Sequence, residues 1–209
     1  KVSNGITGKN IRALLVKGTD LFAGTDSGVF ITTDNGSNWT EKNNGLTNTS
    51  VSSFAEIGEN IFAATQGGGV FLSTNNGTDW TAVNNDLTSN FITSLAVIGT
   101  NLFAGNGGFG GGVFLSTNSG TNWTLANNGL IGDYVFALAA SGTNLFAVSY
   151  KAPSAQVYLS TDNGTNWGLA NTGLPNVFEL CFAVSGTNVF AGAYSNGVYL
   201  TTDNGTNWV

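Results

Sequence analysis

The chain has 209 residues, 41% of them hydrophobic and only 9% charged, with a net charge of −6, one cysteine and no histidine. Six scattered Lys and Arg residues leave no basic stripe for a phosphate backbone, so nucleic acid is not an expected partner. No apolar run approaches the ~18–20 residues of a membrane span, and the missing histidine removes Ser-His-Asp triads, Cys-His pairs and imidazole metal sites.

Read from the amino end, the chain repeats one four-part pattern. An inner apolar run, "IRALLV", is followed by an "LFAG" strip around Phe22, then "GVFIT", then the polar stretch "TTDNGSNW" (32–39). The second unit runs "VSSFAEI", Phe62, "GVFLS" and "STNNGTDW" (73–80). The third is "ITSLAVI", Phe103, "GVFLS" and "STNSGTNW" (116–123). The fourth is "VFALAA", Phe146, "QVYLS" and "STDNGTNW" (160–167). The fifth is "LCFAVS", Phe190, "GVYLT" and "TTDNGTNW" (201–208). Its Cys181 reads as a small buried hydrophobe.

The tryptophans Trp39, Trp80, Trp123, Trp167 and Trp208 stand 41, 43, 44 and 41 residues apart. Each unit holds four short β-prone segments between Gly/Asn/Thr/Asp turns, and no segment carries a helical apolar period. Units of about 40 residues with four strands are propeller blades. One blade cannot bury either face alone, so its interior strands must be apolar on both. Small residues, Ala55, Ala96, Ala139 and Ala183, fall where blades converge. The predicted fold is an all-β, five-bladed propeller of four-stranded antiparallel blades, one domain over residues 1–209. In each internal unit a Gly or Asp follows the Trp by six residues (Gly45, Asp86, Gly129, Gly173), and joining Val209 to Lys1 places Gly5 in the same register. This predicts a closed ring whose ends meet in the outermost strand of the last blade. A closed ring has no free sheet edge, so a monomer is expected.

The repeated polar turn reads as structure. Asp34, Asp162 and Asp203, with Asn75 and Asn118 in the other two units, can accept from amides of their own turn. The glycine two residues on (Gly36 in the first) permits positive φ, and the Trp is directed into the core. A calcium loop is the alternative, but the alternating ligand spacing is not met and no bidentate Glu follows. No metal or cofactor is expected.

At these residues the chain resembles the Asp-box, or bacterial neuraminidase repeat, Ser/Thr-x-Asp-x-Gly-x-x-Trp, matched in frame five times. Families carrying it include sialidases, xyloglucan-cleaving hydrolases, sortilin-like receptors and a photosystem assembly factor. The resemblance implies propeller blades with a structural turn on the face away from the active site, and it transfers no activity. The tandem style is also similar to that of uncharacterised secreted bacterial repeat proteins, some exported by the type IX system. An exported, extracellular or cell-surface bacterial protein is therefore expected.

Length variation is confined to one loop per unit. From Phe22, Phe62, Phe103, Phe146 and Phe190 to the next strip's aromatic the spacing is 8, 9, 11, 12 and 9. These loops, between second and third strands, share a face with the connections from outermost to innermost strand, and binding residues collect on such loops. Five residues after the Gly/Asp marker stand Asn10, Ser50, Phe91, Tyr134 and Phe178, with Asp133 and Glu179 alongside. Phe109, Tyr150 and Tyr194 add aromatics on the variable loops. Aromatic faces with polar neighbours suit sugar rings, whereas the plainer reading has them plugging the channel mouth. A single arginine, Arg12, argues against sialidase chemistry. The expected function is a non-catalytic module binding a glycan or a protein. The alternatives are a passive spacer in a larger repeat protein, or a glycoside hydrolase using Asp133 and Glu179.

Overall fold

The computed structural model describes residues 2–108, 110–132, 134–151, 153–176 and 180–209. Each apolar strip becomes an antiparallel strand, and among the described residues there is no helix. Blade one comprises β1 (Ile11–Lys17), β2 (Asp20–Thr25), β3 (Gly28–Thr32) and β4 (Thr40–Glu41). Blade two comprises β5 (Val51–Ile57), β6 (Asn60–Thr65), β7 (Gly69–Ser73) and β8 (Thr81–Ala82). Blade three holds β9 (Ile92–Ile98), β10 (Asn101–Asn106), β11 (Gly112–Ser116) and β12 (Thr124–Leu125). Blade four holds β13 (Tyr134–Ser141), β14 (Asn144–Lys151), β15 (Ser154–Ser160) and β16 (Gly168–Leu169). Blade five holds β17 (Leu180–Ser185), β18 (Asn188–Ala193) and β19 (Gly197–Thr201). Its fourth strand is represented by Val209, which exchanges backbone bonds with Leu200 at 2.8 and 3.0 Å, in the register of Thr40 with Ile31 and Thr81 with Leu72. The protein is an all-β five-bladed propeller of four-stranded antiparallel blades.

The core lies in layers between consecutive blades. Between blades two and three, Phe62 and Val70 meet Ile92, Leu102, Phe114 and Trp123. Middle strands are sandwiched on both sides, and Val29, Phe30 and Ile31 of β3 are all buried. Each fully buried Phe or Val contributes roughly 1.5–3 kcal/mol. Inner strands pack in series, β1 on β5, β5 on β9, β9 on β13 and β13 on β17.

The polar turn repeats one hydrogen-bond set. In blade one, Thr32 Oγ1 donates to Asp34 Oδ1 at 2.7 Å and accepts from Gly36 N–H at 2.9 Å. The same Asp34 oxygen accepts from Asn38 N–H at 2.8 Å. Asn75, Asn118, Asp162 and Asp203 each accept likewise from the amide four residues on, at 2.8–3.0 Å. The indoles then tie blades together. Trp80, Trp123, Trp167 and Trp208 donate Nε1–H to the carbonyls of Lys42, Val83, Ala126 and Ala170, each in the segment arriving from the preceding blade. Those four indoles are buried, whereas Trp39, bonded to the Val2 carbonyl at 3.1 Å, is half-exposed.

One expectation is corrected at the end of the series. Cys181 and Ala183 are exposed rather than buried, unlike Ala55, Ala96 and Ala139 in the earlier inner strands. Among the described residues β17 and β1 do not pack together as closely as the other inner strands do.

Candidate functional site

The two ends of the blades differ in chemistry. On one side the polar turns meet the turns joining first and second strands, as where Asn76 Nδ2 donates to Asp20 Oδ2 at 2.7 Å. On the other, the hairpins joining second and third strands meet the segments entering the innermost strands. Asp26, Gln66 and Gly107 donate their N–H to the carbonyls of Asn10, Ser50 and Phe91 at 2.9–3.2 Å.

At that second end, each of the first four inner strands carries a β-bulge. The ladder skips Arg12 in β1, Ser52 in β5, Thr93 in β9 and Phe136 in β13. A bulge re-aims the extra side chain and raises local twist, and bulges recur beside binding sites. In blades two and three the bulged hydroxyl ties its blade to the next. Ser52 Oγ donates to the Ile92 carbonyl at 2.6 Å, and Thr93 Oγ1 to the Val135 carbonyl at 2.5 Å. A phenyl ring cannot donate, and Phe136 does something else.

Phe136 stacks on Tyr134 with ring centroids 5.9 Å apart and planes 14° from parallel. Tyr150 leans on both, at 6.4 Å from Tyr134 and 6.2 Å from Phe136. Phe136 is exposed while the two tyrosines are half-buried, so the group has one accessible aromatic surface on a supported base. Tyr150 is held there by an extended hairpin. Tyr150, read above as lying on a variable loop, is within β14, which runs to Lys151, and it pairs Tyr134 on one side and Ala155 of β15 on the other.

In blade three Phe91 is 40% exposed and lies against Gly107, where an added Cβ would sit 3.2 Å from its ring. Thr93, two residues on, connects this blade to blade four as described. Blade one is polar at this end: Asn10 Nδ2 donates to Asp26 Oδ2 at 2.5 Å. That bond, with lesser help from Ser27 and Arg12, holds the Asp26 carboxyl below its usual range. Tyr194, on the hairpin of blade five, is exposed beside a cavity of about 330 Å³ lined by Cys181, Gly192, Ala193 and Gly197. Phe109, Asp133, Phe178 and Glu179 lie outside the described residues. Among the described residues no cluster of three or more Cys, Asp or Glu is arranged to hold a metal.

The structure thus brings Tyr134 and Tyr150 together and adds Phe136, which sequence reasoning had assigned to the core run. The signal was available in its column. Three repeats place Arg12, Ser52 and Thr93 there, and only the fourth has an aromatic. A cavity of about 590 Å³ lies elsewhere, between the polar turns of blades four and five, with Asp162, Trp167 and Thr206 in its lining. A counterpart of about 370 Å³ between blades one and two is lined by Asp34 and Thr78. Both are gaps between neighbouring copies of one turn, which accounts for them without a ligand.

A family model described as the DUF6242 beta propeller domain matches residues 3–133, blades one to three with the entry to blade four. No curated protein matches the chain. Among solved structures it is similar to an ancestral GH74 enzyme, AFV00434, at 23% identity and a TM-score of 0.73, covering 99% of this chain and 33% of that one. The Niastella koreensis GH74 enzyme gives 18% identity and 0.76, covering 96% and 30%. YCF48 bound to D1 peptide gives 15% identity and 0.73, covering 99% and 69%. The chain therefore spans about a third of the length of the GH74 enzymes it matches. At these identities the likeness shows the fold alone.

Proposed function

We propose that this chain, which belongs to the DUF6242 beta-propeller family, is a non-catalytic carbohydrate-binding module of an exported bacterial protein. Its ligand would rest on the hairpin end of blades three and four. The observation that carries this reading is the Tyr134–Phe136–Tyr150 group, three rings in mutual contact with Phe136 open to solvent. A sugar ring offers an apolar C–H face to such a surface and hydroxyls to polar neighbours, and rings held by their own stacking lose little freedom on binding. Phe91 on the adjacent blade would extend the platform. The polar turns at the opposite end, matching the Asp-box pattern, serve in this reading to hold the blades. The GH74 likeness supports the propeller scaffold and supplies no catalytic residues here.

A glycan array followed by calorimetry with xyloglucan oligosaccharides tests the proposal. Binding should fall at least about tenfold, roughly 1.4 kcal/mol, in Phe136→Thr and Tyr150→Ala. Absence of glycan binding, or affinities indifferent to both substitutions, would reject it. Capture of extended peptides instead would move the chain to protein recognition, as in the structure of YCF48 with its peptide. Hydrolysis of the oligosaccharides that disappears in Asp133→Asn or Glu179→Gln would establish an enzyme in place of a binder.

A further inference from the structure

We propose that the ligand of the hairpin end is an oligosaccharide chain and not a single sugar. The aromatic group of blade four takes one unit, while the pairs Ser50–Gln66 of blade two and Asn10–Asp26 of blade one recognise hydroxyls of units further along. The inference rests on the carbohydrate reading above and extends it across the neighbouring blades.

Register brings the same three positions together at this end of each of the first four blades: the residue entering the inner strand, the hairpin residue across from it, and the bulged residue two places on. In blade four they are Tyr134, Tyr150 and Phe136. In blade three they are Phe91, Gly107 and Thr93, with Gly107 N–H on the Phe91 carbonyl at 3.0 Å. In blade two they are Ser50, Gln66 and Ser52, with Gln66 N–H on the Ser50 carbonyl at 2.9 Å. Blade one has Asn10, Asp26 and Arg12, the corresponding bond being 3.2 Å. The surface therefore grades from aromatic in blade four, through one ring and a hydroxyl in blade three, to neutral polar in blade two and charged in blade one. A sugar chain, with apolar ring faces and hydroxyl edges, matches that gradient, and a uniformly apolar ligand does not.

The polar pairs are oriented but not used up. Ser50 Oγ donates weakly to Gln66 Oε1 at 3.4 Å, and among the described residues Gln66 Nε2 has no protein partner. Asp26 accepts from Asn10 Nδ2 at 2.5 Å and from Ser27 Oγ at 3.1 Å, and each carboxylate oxygen keeps further acceptor capacity. Amides and carboxylates fixed in this way meet hydroxyls with little ordering left to do. The pairs are not needed to close their hairpins, because two threonines already do so. Thr25 Oγ1 accepts from Ser27 N–H at 2.9 Å and donates to the Gly28 carbonyl at 3.0 Å. Thr65 Oγ1 accepts from Gly68 N–H and donates to the Gly69 carbonyl, both at 3.0 Å.

The polar and aromatic halves form one surface. Gln66 makes a backbone bridge with Phe91 of blade three, and the N–H groups of Gly67 and Gly69 donate to the Asn90 carbonyl at 2.9 and 2.8 Å. Thr93 Oγ1 bonds the carbonyl of Val135, the residue between Tyr134 and Phe136. Blade three is the low point between them. A Cβ at Gly107 would stand 2.2 Å from Thr93 Cγ2 and 3.2 Å from the Phe91 ring, so no side chain rises where blade four carries Tyr150. Stacked sheets lie up to about 10 Å apart, and two such steps separate blade two from blade four. One pyranose ring cannot touch both, whereas a chain laid over Phe91 can.

Calorimetry with xyloglucan oligosaccharides of increasing backbone length tests this. Wild-type affinity should rise at least about tenfold from the shortest to the longest. Gln66→Ala and Asp26→Ala should remove most of that rise, weakening the longest ligands several-fold while binding the shortest as the wild type does. Phe136→Thr should weaken every length alike. The thermal melts of the two polar variants should stay close to wild type, since Thr25 and Thr65 still hold the hairpins. Affinity independent of length, or both polar variants equal to wild type at every length, overturns the inference and leaves the carbohydrate reading to stand on Phe136→Thr. An equal loss at all lengths in Gln66→Ala also overturns it, by placing Gln66 beside the first sugar. No binding at any length in the wild type removes the carbohydrate reading and this inference together.

Discussion

Phe136 lies stacked on Tyr134, centroids 5.9 Å apart, at the bulge of β13, the position at which β9 of blade three uses Thr93 to bond the Val135 carbonyl of blade four. One column of the repeat therefore serves two ends: a hydroxyl there joins blades, and an aromatic there builds a surface. Phe136→Thr converts the second into the first. Because the ring is already 37% exposed, the melt should move by no more than the ~0.5–1.5 kcal/mol of one aromatic pair, while glycan binding is lost. Calorimetry of binding and of unfolding on one preparation separates the two effects.

The tryptophans should not be equivalent. Trp123 is 2% exposed and bonds the Val83 carbonyl at 2.7 Å, so Trp123→Ala should cost about 3–5 kcal/mol through lost packing and a stranded carbonyl. Trp39 is half-exposed, and its truncation should cost clearly less. Urea midpoints of the two variants, measured under dilute conditions, make the comparison.

Acid should loosen the polar turns. Asp34 is held down to about 2 from 3.8, chiefly by the Asn38 side chain. Asp203 is held to about 2, chiefly by the Asn207 backbone N–H, and Asp162 is lowered chiefly by the Asn166 side chain. A carboxyl whose folded pKa lies below its unfolded value adds stability that is complete above the unfolded pKa and lost as pH falls through the folded one. Stability should therefore decline between about pH 4 and pH 2. The triple variant Asp34→Asn, Asp162→Asn, Asp203→Asn should flatten that decline, since Asn75 and Asn118 accept from the same amide without a charge. Denaturant midpoints across that range decide it.

Gly173 marks a close approach between blades four and five. A Cβ there would stand 2.0 Å from the Trp208 carbonyl oxygen, and its φ is +93°. Gly173→Ala should destabilise by more than ~1 kcal/mol, through the left-handed backbone and the displaced neighbour together. In blade three's approach the chain carries Asp86 at φ 64° instead, and its carboxylate is engaged by Asn122 at 2.9 Å. Thermal melts of Gly173→Ala should show the loss, and Asp86→Ala should lose that bond without relieving the backbone.

The repeat arithmetic was sufficient for the blade. Five turns each ending in a Trp, apolar strips between them and one length-variable hairpin per unit specify which segments pair, because strand pairing inside a blade is local in sequence. The polar turn was equally legible, since its bonds run within eight residues. What the sequence could not supply is the geometry between blades. The rotation from blade to blade arises from side-chain packing across each interface, between residues far apart in sequence such as Phe62 and Trp123. Nor could periodicity show that Phe136 leaves the core, because a β-bulge shifts which face a residue takes without altering the apolar pattern around it. The chain alone determined the module and its number. Only tertiary packing decided how the modules are set around one another and which aromatic rings they present.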